Sequence, residues 1–145
     1  MDRLLTLVVE PCNTREVKKL AGLSRQYWWG QHYPKDPLED LQRAKCIYAM
    51  YDRRHPVGCV AIFNGDYMEI SHLVVHPRYR GKRVAALLFG LAMAYMHRHQ
   101  VDYVQCATEC PSIRDMLIRR EWVVVETRAR LDNKIEWVLS LKLKK

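Results

Sequence analysis

An α/β fold built on one mixed, mostly antiparallel sheet flanked by helices is the expectation, and three observations carry it. Strand-like runs rich in β-branched and aromatic residues alternate with helix-period runs in the order β-αα-βββ-α-β-α-ββ. "NGD" at 64–66 marks a tight turn between two of the strands. At the middle of the chain a basic, glycine-containing segment, "HPRYRGKR", joins an apolar strand to an alanine- and leucine-rich helix. The 145 residues suit one domain, 1–145, with a core of its own.

Residues 3–10, "RLLTLVVE", are β-formers that stop at Pro11. Asn13 or Thr14 caps a helix over 15–27, where Val17, Leu20, Ala21 and Leu23 form an apolar stripe. "WGQHYPKDP" breaks it, and 38–45 reads as a second, short helix. "CIYAMYD", "PVGCVAIFN" and 67–75 follow as an antiparallel meander. The end of the third, "LVV", is apolar on both faces, as in a central strand covered on both sides. Val84, Leu87, Leu88, Leu91 and Tyr95 recur at helical spacing until "HRHQ". "VDYVQCAT" is a buried-type strand, and 111–120 a short helix with proline in its first turn. "WVVVETRARL" and "IEWVLSLKL" are two strands joined around "DNK".

Hydrophobic residues make up 49% and charged residues 28%, the composition of a globular domain rather than of a disordered or fibrous chain. No stretch approaches the ~20 apolar residues that span a bilayer, and the first apolar run is too short for a signal peptide. The five cysteines are odd in number, and four lie in apolar runs that suit buried free thiols, so a reducing, cytoplasmic setting is expected. Cys106 and Cys110 lack the spacing of a zinc site, and no metal is expected.

The net charge of +8 points to an anionic partner. Arg78, Arg80, Lys82 and Arg83 supply four positive charges with no acid between them, immediately before a helix. Cations carry the wrong sign for a helix N-terminus and cost ~0.3–1 kcal/mol each when uncompensated. A phosphate would reverse that sign, accepting the free amides and the basic side chains, with Gly81 allowing close backbone approach. The basic C-terminal tail reads as solvated, so nucleic acid is not the favoured partner.

The segment "LVVHPRYRGKRVAALLF" resembles the acetyl-CoA-binding segment of GCN5-related N-acetyltransferases (GNAT), Val-x-Pro-x-Tyr-Arg-Gly-x-Gly-x-Gly/Ala followed by an apolar helix. The element order is similar to that fold over nearly the whole chain. The resemblance implies that the backbone of Leu73, Val74 and Val75 pairs with the acetyl-pantetheine arm. It implies also that the amides of Arg80, Gly81, Lys82, Arg83, Val84 and Ala85 hold the pyrophosphate. The family's middle glycine is Arg83 here. A helical backbone at that position is expected, which would leave the guanidinium for a CoA phosphate.

Acetyl transfer to an amine requires a base. Glu69 leads, because regular alternation in "EISHLVV" puts it on the same face as Leu73 and Val75. Some aminoglycoside acetyltransferases of the family carry a similar Glu before Leu-Val-Val. His72, with an unperturbed pKa of ~6.5, falls on the opposite face, and Glu109 is a third candidate. A purely structural role remains open for both Glu69 and His72. For the general acid the resemblance fails: relatives carry a tyrosine where Leu117 stands, and a glycine where Glu121 stands. Cys110 and Ser112 open the same helix, Ser112 with the ordinary role of a cap.

In this fold the first two helices flank the acceptor. Tyr27, Trp28, Trp29, His32 and Tyr33 form a dense aromatic cluster that suits a substrate wall or a core cover, and Asp36, Glu39 and Asp40 would attract a cationic amine. Small amine, peptide and amino-bearing nucleic acid all satisfy this pattern. A second reading is a non-catalytic module of the same fold that engages nucleic acid or protein through its basic surface. Monomer and homodimer are both compatible with the sequence; the two C-terminal strands offer a pairing edge.

Overall fold

The computed structural model describes residues 4–29, 36–65, 67–129 and 134–143; the side chains of Trp28 and Trp29 lie outside that description. Among the described residues the order is β1 (Leu4–Val9), α1 (Thr14–Ser24), a single π-helical turn (Arg25–Trp29), α2 (Pro37–Gln42), β2 (Cys46–Asp52), β3 (His55–Asn64) and β4 (Met68–Val75). A 3-10 turn (Pro77–Tyr79), α3 (Val84–Arg98), β5 (Tyr103–Thr108), α4 (Pro111–Arg119), β6 (Val123–Ala129) and β7 (Ile135–Lys142) follow. The expected element order holds. Seven strands form one sheet in the order β1-β2-β3-β4-β5-β7-β6, and β4 with β5 is its parallel pair.

Local chemistry sets the helix starts. Asn13 accepts from the Glu16 amide at 3.2 Å to cap α1, and Asp36 accepts from the Leu38 amide at 2.9 Å to cap α2, with Pro37 in the first turn. Alternation along β2 sends Tyr48 and Met50 into the core beneath α3, and Ile47, Ala49 and Tyr51 into the core beneath α1 and α2. α3 packs on β2, β3 and β4, whereas α4 packs on β5, β6 and β7. The boundary between the two helices therefore falls over the junction of β4 and β5.

Three local expectations change. α1 ends at Ser24, and Arg25–Trp29 continue it as a π-helical turn. α4 begins at Pro111, so its N-cap is Cys110 and Ser112 is not the cap. The cysteines are all free, but Cys59 and Cys106 alone are buried; Cys46 is half-buried, and Cys12 and Cys110 are exposed.

Candidate active site

The parallel ladder between β4 and β5 runs from Met68↔Val104 to Ile70↔Cys106 and stops, although β4 continues to Val75 and β5 to Thr108. Beyond that point the strands part. The reason lies in β4: Ala61 of β3 faces Ser71 and Cys59 faces Val74, so His72 and Leu73 share the place opposite Val60. This is a β-bulge, which bends and twists the strand that carries it. His72 adopts φ +53, a left-handed conformation at a bulge position glycine ordinarily fills.

The extra residue reverses the side-chain parity. Ile70, Leu73 and Val75 pack into the core under α3, while Val74 joins the core under α1 and α2. Glu69, the neighbour of Ile70, thus faces the α1/α2 side together with His72 and away from Leu73 and Val75. The expected face of Glu69, which assumed unbroken alternation, is overturned by the bulge; His72 lies opposite Leu73 and Val75 as expected, but on the same face as Glu69.

The opening leads to the N-terminus of α3. No side chain caps this helix and its first turn holds no acid. Gly81 has φ +80, with nothing within 4 Å of the place a Cβ would take. Arg83, the N-cap, has φ +65 and ψ +16, so the expected helical backbone is not found: the position is left-handed, the geometry a glycine favours. Arg83 is exposed, whereas Val84 is buried in the core and Ala85 is exposed. Arg80 differs from its expected part, since its amide bonds to the Pro77 carbonyl at 3.3 Å and its Nε donates to the Val75 carbonyl at 3.2 Å. Arg80 thus braces the turn onto the end of β4. The Tyr79 hydroxyl donates to Asp52, and Lys82 lies over the Tyr79 ring, 5.5 Å from its centre.

On the other face, Glu69 is exposed. Burial among protein atoms raises its pKa; the carboxylates of Asp40 and Glu136 raise it further and the Arg128 guanidinium lowers it. Glu136 is 4% exposed, with Arg128 Nη1 at 3.6 Å from its Oε1. His72 is fully buried, its Nε2 2.6 Å from Asp40 Oδ2 and its Nδ1 2.9 Å from Ser24 Oγ. Asp36 is committed to the α2 cap and to Arg25 at 2.8 Å. Ser24, Arg128 and Glu136 were absent from the sequence reading; they meet Glu69 and His72 only through long-range packing.

Cys110 is exposed at the N-cap of α4, beyond the C-terminal end of β5. Burial pushes its thiol pKa up, but hydrogen bonds from the Ser112 hydroxyl and from the amides of Ile113 and Ser112 outweigh this and lower it. Its Sγ lies 3.0 Å from Ser112 Oγ. Leu117 is fully buried in the core. Glu121 adopts φ +73 just past the end of α4, and the Trp122 amide returns to the Leu117 carbonyl at 3.0 Å, the C-terminal cap that glycine usually makes.

Of the aromatic group, Tyr27 packs edge-on against His76, ring centres 5.0 Å apart, with its hydroxyl 3.4 Å from Nε2. It therefore reaches the end of β4. The side chains of Trp28 and Trp29, and His32 and Tyr33 entirely, lie outside the described residues. Among the described residues no group of His, Cys, Asp and Glu is arranged to hold a metal ion, and no helix is long and apolar enough to cross a membrane.

The parted parallel strands thus stand beside an uncapped, basic helix start. Residues 10–115 match the model of the "Acetyltransferase (GNAT) family", and the chain belongs to that family. Among solved structures it is similar to the NatC complex bound to Gag peptide and CoA (TM-score 0.76, 16% identity, 99% of this chain and 100% of that one). An aminoglycoside 6'-N-acetyltransferase complexed with coenzyme A gives TM-score 0.75 and 11% identity, over 97% of this chain and 98% of that one. The ribosomal-protein-S18-alanine N-acetyltransferase from Escherichia coli gives 0.73 and 8%, over 97% and 96%. At these identities the likeness is one of fold. No curated protein sequence matches the chain.

Proposed function

We propose that the chain is an acetyl-CoA-dependent N-acetyltransferase that acetylates a primary amine of a cationic acceptor by direct transfer in a ternary complex. The observation that carries this reading is the parting of β4 from β5 beyond Ile70 and Cys106, continuous with the uncapped start of α3. The residues there fit the cofactor. The free amides at the start of α3, the open left-handed turn at Gly81 and the exposed Lys82 and Arg83 suit its phosphates. The strand edge at Leu73, Val74 and Val75 suits an extended amide-bearing arm.

Acetyl-CoA supplies the activated acyl group. Glu69 takes the proton of the incoming ammonium, and its raised pKa brings it nearer to that task at neutral pH. The carboxylates of Asp40 and Glu136 add negative charge around Glu69, which draws a protonated amine and disfavours an anionic acceptor. Cys110, at the start of α4 just after β5 and with Ser112 at 3.0 Å, serves as the proton donor, since Leu117 offers no hydroxyl.

The same burial of Leu117 favours the second reading, a GNAT-fold module without turnover that binds nucleic acid through its basic surface. CoA release on adding spermidine, an aminoglycoside, a lysine peptide or a peptide with a free N-terminus supports the enzyme. Salt-sensitive RNA or DNA binding without CoA release from any of them supports the module.

A further inference from the structure

His72 occupies a place where its backbone is unfavourable. A non-glycine residue held left-handed carries a steric cost, and glycine would fill the bulge without it. The side chain accounts for the exception. Asp40, as a carboxylate, only accepts, so Nε2 carries a proton toward Oδ2 at 2.6 Å, while Nδ1 faces Ser24 Oγ at 2.9 Å. A buried charge-assisted bond of this kind is among the stronger hydrogen bonds and works against that steric cost.

The two partners belong to different helices. Ser24 is the last residue of α1 and Asp40 lies within α2, so the two helices are pinned to one imidazole on β4. The ring of Phe63 on β3 stands 6.0 Å from it, and the Cys59 thiol donates to its backbone carbonyl at 3.5 Å. Asp40 in turn acts electrostatically on Glu69, which Arg128 of β6 and Glu136 of β7 face from the other side.

We propose that His72 is a positioning residue for the transfer reaction: it locks the β4 bulge that parts β4 from β5 and, through Ser24 and Asp40, ties the acceptor-flanking helices to that opening. The inference rests on the acetyltransferase reading for its purpose, but the clamp itself is a property of the free chain. Opening of the bulge and displacement of α1 and α2 are thereby one coupled event.

The test compares the wild type with His72→Asn and His72→Gly, both of which accept a left-handed backbone but cannot bridge Ser24 and Asp40, and with Asp40→Asn. Amide exchange is measured in the free chain, and the carbonyl 13C resonance is measured with [1-13C]acetyl-CoA bound. The expected result is exchange at Leu73 and Val74 at least about tenfold faster in the His72 variants, as loss of a charge-assisted bond implies, with β2 unchanged. The bound carbonyl resonance moves toward that of free acetyl-CoA in the same variants, and Asp40→Asn shifts both readouts in the same direction by less. Should His72→Gly fail to fold, His72→Asn and Asp40→Asn decide. Wild-type exchange at Leu73 and Val74 and an unmoved carbonyl resonance in the variants overturn the clamp. A wild type that binds no acetyl-CoA overturns the acetyltransferase reading instead, and exchange in the free chain still decides whether His72 locks the bulge.

Discussion

A Cβ on Gly58 would stand 3.0 Å from Cγ1 of Val84, so β3 meets the first turn of α3 at a point with no room for a side chain. The same Cβ would lie 3.1 Å from Leu88 Cδ1 and 3.1 Å from the Val74 carbonyl oxygen, and the last of these is backbone that cannot turn aside. Gly58→Ala therefore displaces α3 from the sheet. Thermal unfolding is expected to show a loss of ~1–3 kcal/mol, the usual range for overpacking. Acetyl-CoA affinity should fall with it, because the moved element carries the amides proposed to hold the phosphates. Wild-type stability in Gly58→Ala would mean that α3 is not seated as described.

Arg83 and Glu121 are both left-handed where glycine would be comfortable. Replacing either by glycine relieves ~1–2 kcal/mol of backbone cost, less ~0.5–1 kcal/mol for the freer unfolded chain. A small gain in melting temperature is expected from each. Their effects on the cofactor differ. Arg83→Ala and Arg83→Gly should both weaken CoA binding in calorimetry, whereas Glu121→Gly should leave it unchanged. Unchanged or tighter CoA binding in both Arg83 variants would remove the phosphate contact.

Glu69 is held above its ordinary pKa chiefly by burial. Between its unfolded and folded pKa values the native state binds more protons than the unfolded state, so stability falls as pH rises through that window. At neutral pH the ionised carboxylate is a cost to the fold. Glu69→Gln should consequently melt no lower than the wild type, and at a higher temperature near neutrality, while kcat/KM drops about 10²–10⁴-fold, as loss of a general base implies. The acid limb of the wild-type profile should move to lower pH in Asp40→Asn, which removes a repelling charge, and to higher pH in Arg128→Ala. Full activity in Glu69→Gln would exclude this carboxylate as the base.

The Tyr51 hydroxyl donates to Glu16 Oε1 at 2.8 Å. That bond, aided by Lys19 and Arg15 against a smaller effect of burial, holds the Glu16 pKa below its ordinary value. A lowered carboxylate contributes stability that is present above its unfolded pKa and is lost as pH falls through the folded one. Tyr51→Phe should therefore cost ~1 kcal/mol near pH 7 and progressively less on acidification below about pH 4.5. Denaturant unfolding of the two proteins at pH 7 and pH 3 measures this; an equal difference at both values would contradict it.

Much of this architecture could be read from local patterns. Alternation in "CIYAMYD" and the cap at Asn13 act over a few residues and announce themselves. So did the uncapped, basic start of α3, because glycine and four cations sit together before an apolar helix. The face of Glu69 did not, since parity along β4 is reversed by one bulge and a histidine gives no sign of a left-handed backbone. Nor did the pairing of His72 with Ser24 and Asp40, which lie 48 and 32 residues away and meet it only when α1 and α2 close over the sheet. The conformation of Arg83 was missed for a related reason: the side chain that replaced glycine changed the residue's preference without changing the backbone that the turn requires.

The opening between β4 and β5, with the start of α3, is the proposed seat of acetyl-CoA. Native mass spectrometry of the purified protein with acetyl-CoA tests this directly. The expected result is one acetyl-CoA per chain, with occupancy reduced in Arg83→Ala. Absence of any complex at millimolar acetyl-CoA would contradict the reading.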